Sequence, residues 1–268
     1  LVLGTVDDTV WIASDAAALL QHTRDVIFLQ DGEIASVLDG IVDLFDATTG
    51  LPVAAQPQRL DWSAETSELG TYPHFMLKEI AEQPDVWRTW ANEPPRELAA
   101  LVELIRSATD VVLLGCGSAY HAALAARHAL ATEAGIGARA ALASEDDVQD
   151  ADMRPGTLSI AFSQSGETAD VLRAVRRARQ RDVPVVAFVN CPGSSLSRIA
   201  TVTVPLMAGP EQCVLATKSF TAKLAGLAML VAEMRGATAA TRSCLLDAAH
   251  HAEEMLKGPF RYRIREVG

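Results

Sequence analysis

From Asp110 onward, short apolar runs alternate with stretches in which apolar residues recur every three or four positions. The runs Val111–Leu114, Ala138–Leu142, Leu158–Phe162, Val185–Val189 and Val202–Pro205 suit buried strands. Helical periodicity falls at about 118–134, 168–181 and 217–235, with a shorter segment at 194–200 and a last helix at 240–256. Strand and helix in alternation, joined by short loops, predict an α/β fold whose parallel sheet is covered by helices on both faces. In the 168–181 segment Val171, Leu172 and Val175 share one side, while Arg173, Arg176, Arg177 and Arg179 read as a solvated face.

The first 56 residues follow a different pattern. Val10–Ser14, Asp25–Leu29, Glu33–Val37 and Ile41–Phe45 are short strand-like runs, separated by turn signals such as Asp31-Gly32 and Thr48-Thr49-Gly50. A helix is expected between them only at Asp15–Gln21, so the segment predicts part of an antiparallel sheet. Residues 57–108 are a helical linker: extended through Gln56–Trp62, helical from Met76 to Gln83 up to Pro84, helical again over Val86–Asn92 and over Arg96–Ala108, with Pro94 and Pro95 at its start. His74, in Tyr72-Pro73-His74-Phe75, has no cysteine or carboxylate beside it and reads as packed or solvated.

Composition narrows the functional classes. The chain has 268 residues, 49% of them hydrophobic, enough for a sizeable core. A formal net charge of −11 argues against a nucleic-acid face. The cysteines Cys116, Cys191, Cys213 and Cys244 lack metal-ligand spacing, so no metal or other cofactor is expected and a reducing cytoplasmic compartment fits. No apolar run reaches the ~20 residues that span a bilayer. The opening Leu1-Val2-Leu3-Gly4 has no basic n-region and no initiator methionine, and reads as a cut edge and not a signal peptide.

Candidate chemistry sits in two turns. Ser163-Gln164-Ser165-Gly166-Glu167-Thr168 joins an apolar strand to a helix and offers three hydroxyls, a carboxamide and free N–H groups where the helix macrodipole favours an anion. Gly115-Cys116-Gly117-Ser118 is a second strand-to-helix turn. In an open parallel sheet such turns gather at the carboxyl ends of the strands, where ligands bind. Together they predict one phosphate-binding pocket. An ordinary N-cap role for Thr168 is the plainer alternative.

Five motifs in order then carry a resemblance: Asp110–Ser118, Ala143-Ser144-Glu145, Ser163–Asp170, Asn190–Leu196 and Ala216–Thr221. They resemble the first sugar-isomerase (SIS) domain of the glutamine:fructose-6-phosphate amidotransferase family. Phe75–Ile80 with Glu82-Gln83-Pro84 resembles that family's linker, and Ile12–Asp15 through Phe28–Ala35 the end of its glutaminase domain. The resemblance implies a C-terminal part of a glutaminase-like domain at 1–56, a linker at 57–108, a first SIS domain at 109–240 and a helix with a tail at 241–268. It implies sugar-phosphate binding by Cys116, Gly117, Ser118, Ser163, Gln164, Ser165, Thr168 and Val214, and association into homo-oligomers through SIS domains, for which Leu224–Val231 could supply an interface or simply core. The glutaminase's N-terminal cysteine and the second SIS domain's catalytic residues have no counterpart, so no catalytic residue is expected here.

Departures from the family pattern matter. Ala119 stands where the family commonly has serine, in Cys116-Gly117-Ser118-Ala119, and Ala216-Thr217-Lys218 replaces the common Ser-Thr-Lys. Each removes a hydroxyl that could hold the ligand, so a weaker or altered sugar phosphate is an open alternative. A phosphosugar-sensing SIS module without turnover is a second reading. A dinucleotide enzyme is a third, undercut by Tyr120 at the place of the third glycine and by Glu145 arriving late for a ribose carboxylate. Lys218 reads as a surface charge, Glu167 as a first-turn carboxylate and Cys116 as a packed residue.

Overall fold

The computed structural model describes residues 1–14, 16–60, 68–145 and 153–257. Expectations touching Asp15, Asp61, Trp62 and the tail from Gly258 lie outside them. Contacts divide the chain into two compact units, Leu1–Gly70 and Thr71–Gly268.

The first unit is antiparallel. β1 (Val2–Val6), β2 (Thr9–Ala13), β3 (Asp25–Phe28) and β7 (Pro57–Arg59) form a sheet in the order β2-β1-β3-β7, and β4 (Glu33–Leu38), β5 (Ile41–Asp46) and β6 (Pro52–Val53) form a second in the order β4-β5-β6. The four strand runs read from the sequence are all present. β1, which was not expected, lies inside its sheet, with Val2 opposite both Ala13 and Phe28. Gly4 lets Thr23 approach, since a Cβ there would meet Thr23 Cγ2 at 2.4 Å. The expected Asp15–Gln21 helix shrinks to a 3-10 turn at Ala16–Leu19, which delivers Leu19 and Leu20 to a core with Val2, Val26, Phe28 and Leu60.

The second unit begins with α1 (Phe75–Asn92) and α2 (Glu97–Ser107). His74 caps α1, its Nδ1 accepting from Leu77 N–H at 3.2 Å. Pro84 does not end the helix, contrary to expectation. Proline cannot donate to the carbonyl four residues back, and here the Gln83 carboxamide donates to Ile80 O instead, at 3.2 Å. The helix therefore continues to Trp90, which is fully buried with its indole N–H on Leu206 O at 2.9 Å.

Five parallel strands follow: β8 (Asp110–Gly115), β9 (Arg139–Leu142), β10 (Thr157–Ser163), β11 (Val185–Val189) and β12 (Val202–Pro205), in spatial order β12-β11-β10-β8-β9. Helices α3 (Ser118–Ala134), α4 (Ala169–Arg179), α5 (Ser195–Ile199), α6 (Lys218–Arg235) and α7 (Thr238–Lys257) complete the unit. Alternate strand residues serve opposite faces. Leu113, Ile160, Phe162 and Phe188 pack with α1, α2, α3 and α6, while Val112, Leu114, Ala161 and Ala187 pack with α4 and α5. Burying both faces explains why these strands read as continuous apolar runs.

The stretch Leu224–Val231, weighed as an interface, is core. Ala225, Leu227, Met229, Leu230 and Val231 are buried within the chain. At Gly226 a Cβ would stand 2.8 Å from the Trp90 ring, so the glycine makes room for the indole. Arg173, Arg176, Arg177 and Arg179 are exposed, as the periodicity predicts. No helix among the described residues is long and apolar enough to cross a membrane.

Candidate functional site

The order of the sheet fixes where a ligand can sit. After β8 the chain goes to β9 on one side, then returns past β8 to β10 on the other, so connections diverge between β8 and β10. Loops at such a divergence leave a crevice at the carboxyl ends of the strands. Gly115–Ser118 and Ser163–Thr168 are the loops at these two strand ends.

Two glycines shape the first turn. Gly115 must lack a side chain because its Cβ would lie 2.6–2.7 Å from the Ala119–Tyr120 backbone. Gly117, the residue before α3, has φ +54° and ψ −130°, which side-chain-bearing residues rarely adopt. A Cβ on Gly117 would meet nothing within 4 Å.

The second turn is braced by its own side chains. Ser163 Oγ accepts the Gly166 N–H at 2.9 Å, and Ser165 Oγ accepts the Glu167 N–H at 3.1 Å. Ser163 Oγ also shares a hydrogen bond with Thr168 Oγ1, in which either hydroxyl can donate. Gly166 has φ +71°, and a Cβ would overlap Ser194 Oγ at 2.1 Å. Glu167 is not a first-turn carboxylate of α4. Its Oε1 accepts the Ser195 N–H at 2.7 Å and so caps α5, joining the cradle to the next loop. Thr168 precedes α4 but makes no side-chain cap; its Oγ1 lies 3.4 Å from Ser163 Oγ. The plain capping role for Thr168 is therefore absent.

These turns open on a hollow of about 150 Å³. Of the eight residues expected to bind ligand, Cys116, Ser118, Ser163, Gln164, Ser165, Thr168 and Val214 line it, and Gly117 does not. Val214 borders it with a fully exposed side chain. The loop carrying Val214 is held from two sides. Glu79 of α1 is buried, and its Oε1 accepts the N–H groups of Gln212 (2.7 Å) and Cys213 (3.0 Å). Glu211 Oε1 accepts those of Thr217 (3.0 Å) and Ser219 (3.1 Å). Glu211 thereby caps α6 and also lines the hollow.

Lys218 is no surface charge. It is buried, with Nζ 2.6 Å from Glu82 Oε2. Lys223 was missed altogether: it is 1% exposed yet lines the hollow. Its only sequence signal is a lone charge among the small and apolar residues of α6. Burial pulls its pKa down to about 8, partly countered by the Glu211 carboxylate. Burial pushes the Cys116 thiol above its ordinary value, with Asp170 adding to the effect, so Cys116 is no thiolate nucleophile near neutral pH. Among the described residues no group of three or more His, Cys, Asp or Glu could hold a metal.

A strand-end crevice lined by hydroxyls on a five-stranded parallel sheet defines a class. The family model for the SIS domain matches residues 104–233. Over most of its length the chain is homologous to enzymes named glutamine–fructose-6-phosphate aminotransferase [isomerizing]. That of Methanothermobacter thermautotrophicus is 40% identical over 234 residues, spanning 87% of this chain and 39% of the relative. That of Pyrobaculum aerophilum is 37% identical over 266 residues, spanning 97% and 42%. The chain thus spans about two fifths of the length of these relatives. Among solved structures, the C-terminal domain of glucosamine-fructose-6-phosphate aminotransferase from Francisella tularensis superposes with TM-score 0.56 at 26% identity, over 71% of this chain and 55% of that one.

Proposed function

We propose that the hollow receives the phosphoryl group of a sugar phosphate of the fructose 6-phosphate class. On this reading the chain is the sugar-binding isomerase portion of a glutamine-dependent aminotransferase that makes glucosamine 6-phosphate. The observation that carries it is the convergence of Ser118, Ser163, Gln164, Ser165 and Thr168 on one hollow at a sheet divergence. Ser163 and Ser165 each spend an acceptor lone pair on the turn, which leaves an anion the Ser165 O–H and one O–H of the Ser163–Thr168 pair. Donors to a charged oxygen are each worth about 1.5–3 kcal/mol. In the same reading residues 1–56 are the C-terminal part of a glutaminase-like domain, 57–108 the linker, 109–240 the first SIS domain and 241–268 its trailing helix and tail. The reading also makes the protein a cytoplasmic homo-oligomer joined through SIS domains, with surfaces other than the buried Leu224–Val231.

Isothermal titration of the chain with fructose 6-phosphate tests the site. Binding is expected, with Ser165→Ala weakening it about 10-fold or more and neutral fructose binding far less. Binding of fructose and fructose 6-phosphate with equal affinity refutes it. A non-catalytic phosphosugar sensor is favoured by one feature, that the hollow is lined by a Cys116 thiol whose pKa burial raises and by a Glu211 carboxylate committed to capping. Turnover of fructose 6-phosphate and glutamine by the full-length parent excludes the sensor.

A further inference from the structure

We propose that Lys223 is the countercharge of this site, its ammonium binding the phosphoryl group directly from the floor of the hollow. The inference rests on the phosphosugar reading above and adds the group that balances the ligand's charge. Hydroxyls and N–H groups solvate a dianion without neutralising it, and the chain around them carries a net charge of −11. Among the described residues lining the hollow, Lys223 is the only cation, and Glu211 the only carboxylate. The Glu211 oxygen that faces α6 is already occupied by the N–H groups of Thr217 and Ser219.

The surroundings of Lys223 are unusual for a structural lysine. The neighbouring buried Lys218 has a carboxylate partner at 2.6 Å. Lys223 has no such ion pair among the described residues, and its Nζ makes one hydrogen bond, to Ser219 O at 3.2 Å. An ammonium has three N–H donors, so its capacity is underused in a position that is 1% exposed. Burying a charge with so little compensation lowers stability, and a phosphoryl oxygen in the adjoining hollow supplies what is missing. Ala119 and Ala216, where hydroxyls could have held the ligand, also line the hollow. A cation from α6 compensates for donors lost at those two positions.

Lys223→Met keeps the length and removes the charge, and Lys223→Gln keeps a donor. Titration of the wild-type chain and both variants with fructose 6-phosphate, and competition by inorganic phosphate, form the test. For Lys223→Met both affinities are expected to fall by the same factor, about 10- to 100-fold, while the melting temperature rises because an underpaired buried charge is gone. Lys223→Gln is expected in between. Affinity for fructose 6-phosphate within about twofold of wild type in Lys223→Met, against the 10-fold minimum expected, overturns the proposal and leaves the phosphosugar reading standing. An unchanged inorganic phosphate competition constant overturns it too, as does a fall in melting temperature that accompanies the lost binding. Absence of any binding by the wild type overturns the phosphosugar reading itself.

Discussion

Glu79 offers a direct measure of how far α1 governs the loop that carries Val214. Its Oε1 receives two backbone N–H groups, from Gln212 and Cys213, while Oε2 is buried without a partner. Glu79→Ala removes two hydrogen bonds to a charged acceptor, about 1.5–3 kcal/mol each. It also removes the unsatisfied oxygen, which returns about 1–3 kcal/mol. The balance is a loss of about 2–3 kcal/mol, a large share of the ~5–15 kcal/mol a domain has to spare. At about 2–4 °C per kcal/mol for a unit of this size, the melting temperature is expected to drop by about 4–12 °C. Hydrogen exchange read by NMR localises the effect: the Gln212 and Cys213 amides lose protection, and amides of β10 and β11 do so only in proportion to global stability. Glu79→Gln, which can retain the accepting oxygen, is expected to cost less. A melting temperature within about 1 °C of wild type, with protection at Gln212 and Cys213 intact, refutes the reasoning.

Two further outcomes are expected. Gly166→Ala must adopt φ +71° and drive its Cβ into Ser194, costing about 1–2 kcal/mol for the backbone and about 1–3 kcal/mol for overpacking; urea unfolding reads the sum, and loss of phosphosugar binding accompanies it. Alkylation by iodoacetamide at pH 7.5, followed by peptide mapping, should modify the exposed Cys244 well before Cys116, because the Cys116 pKa is raised and its reactive thiolate gains population only as pH rises past the ordinary thiol value.

Much of the second unit was legible because both faces of its sheet are buried. That burial writes each strand as an apolar run, and Val185–Val189 and Val202–Pro205 have the bounds the pattern predicts. The turn Ser163–Thr168 was legible as a strand-to-helix junction for a related reason: it follows a continuous apolar run and precedes a helical period. What stayed hidden depends on neighbours far away in the chain. Pro84 stops a helix by local rules, and the Gln83 side chain that satisfies Ile80 is a rotamer choice. Lys218 looks solvated until Glu82 is brought beside it. Glu79 and Glu211 resemble any surface carboxylates in sequence, yet both serve backbone donors around the hollow. β1 was lost because Gly4 interrupts a short apolar run, and the close approach of Thr23 that requires the glycine comes from another strand's approach turn.

The tie from Glu167 to the start of α5 has a consequence for thermodynamics. Because that carboxylate, Ser163, Ser165 and Gly166 interlock through their own hydrogen bonds, the proposed phosphosugar would meet a turn whose ordering entropy is already spent. On that reading little chain reorganisation would accompany binding, and the same lattice of bonds, more than any single hydroxyl, would set how sharply the crevice tells a phosphoryl group from a looser anion.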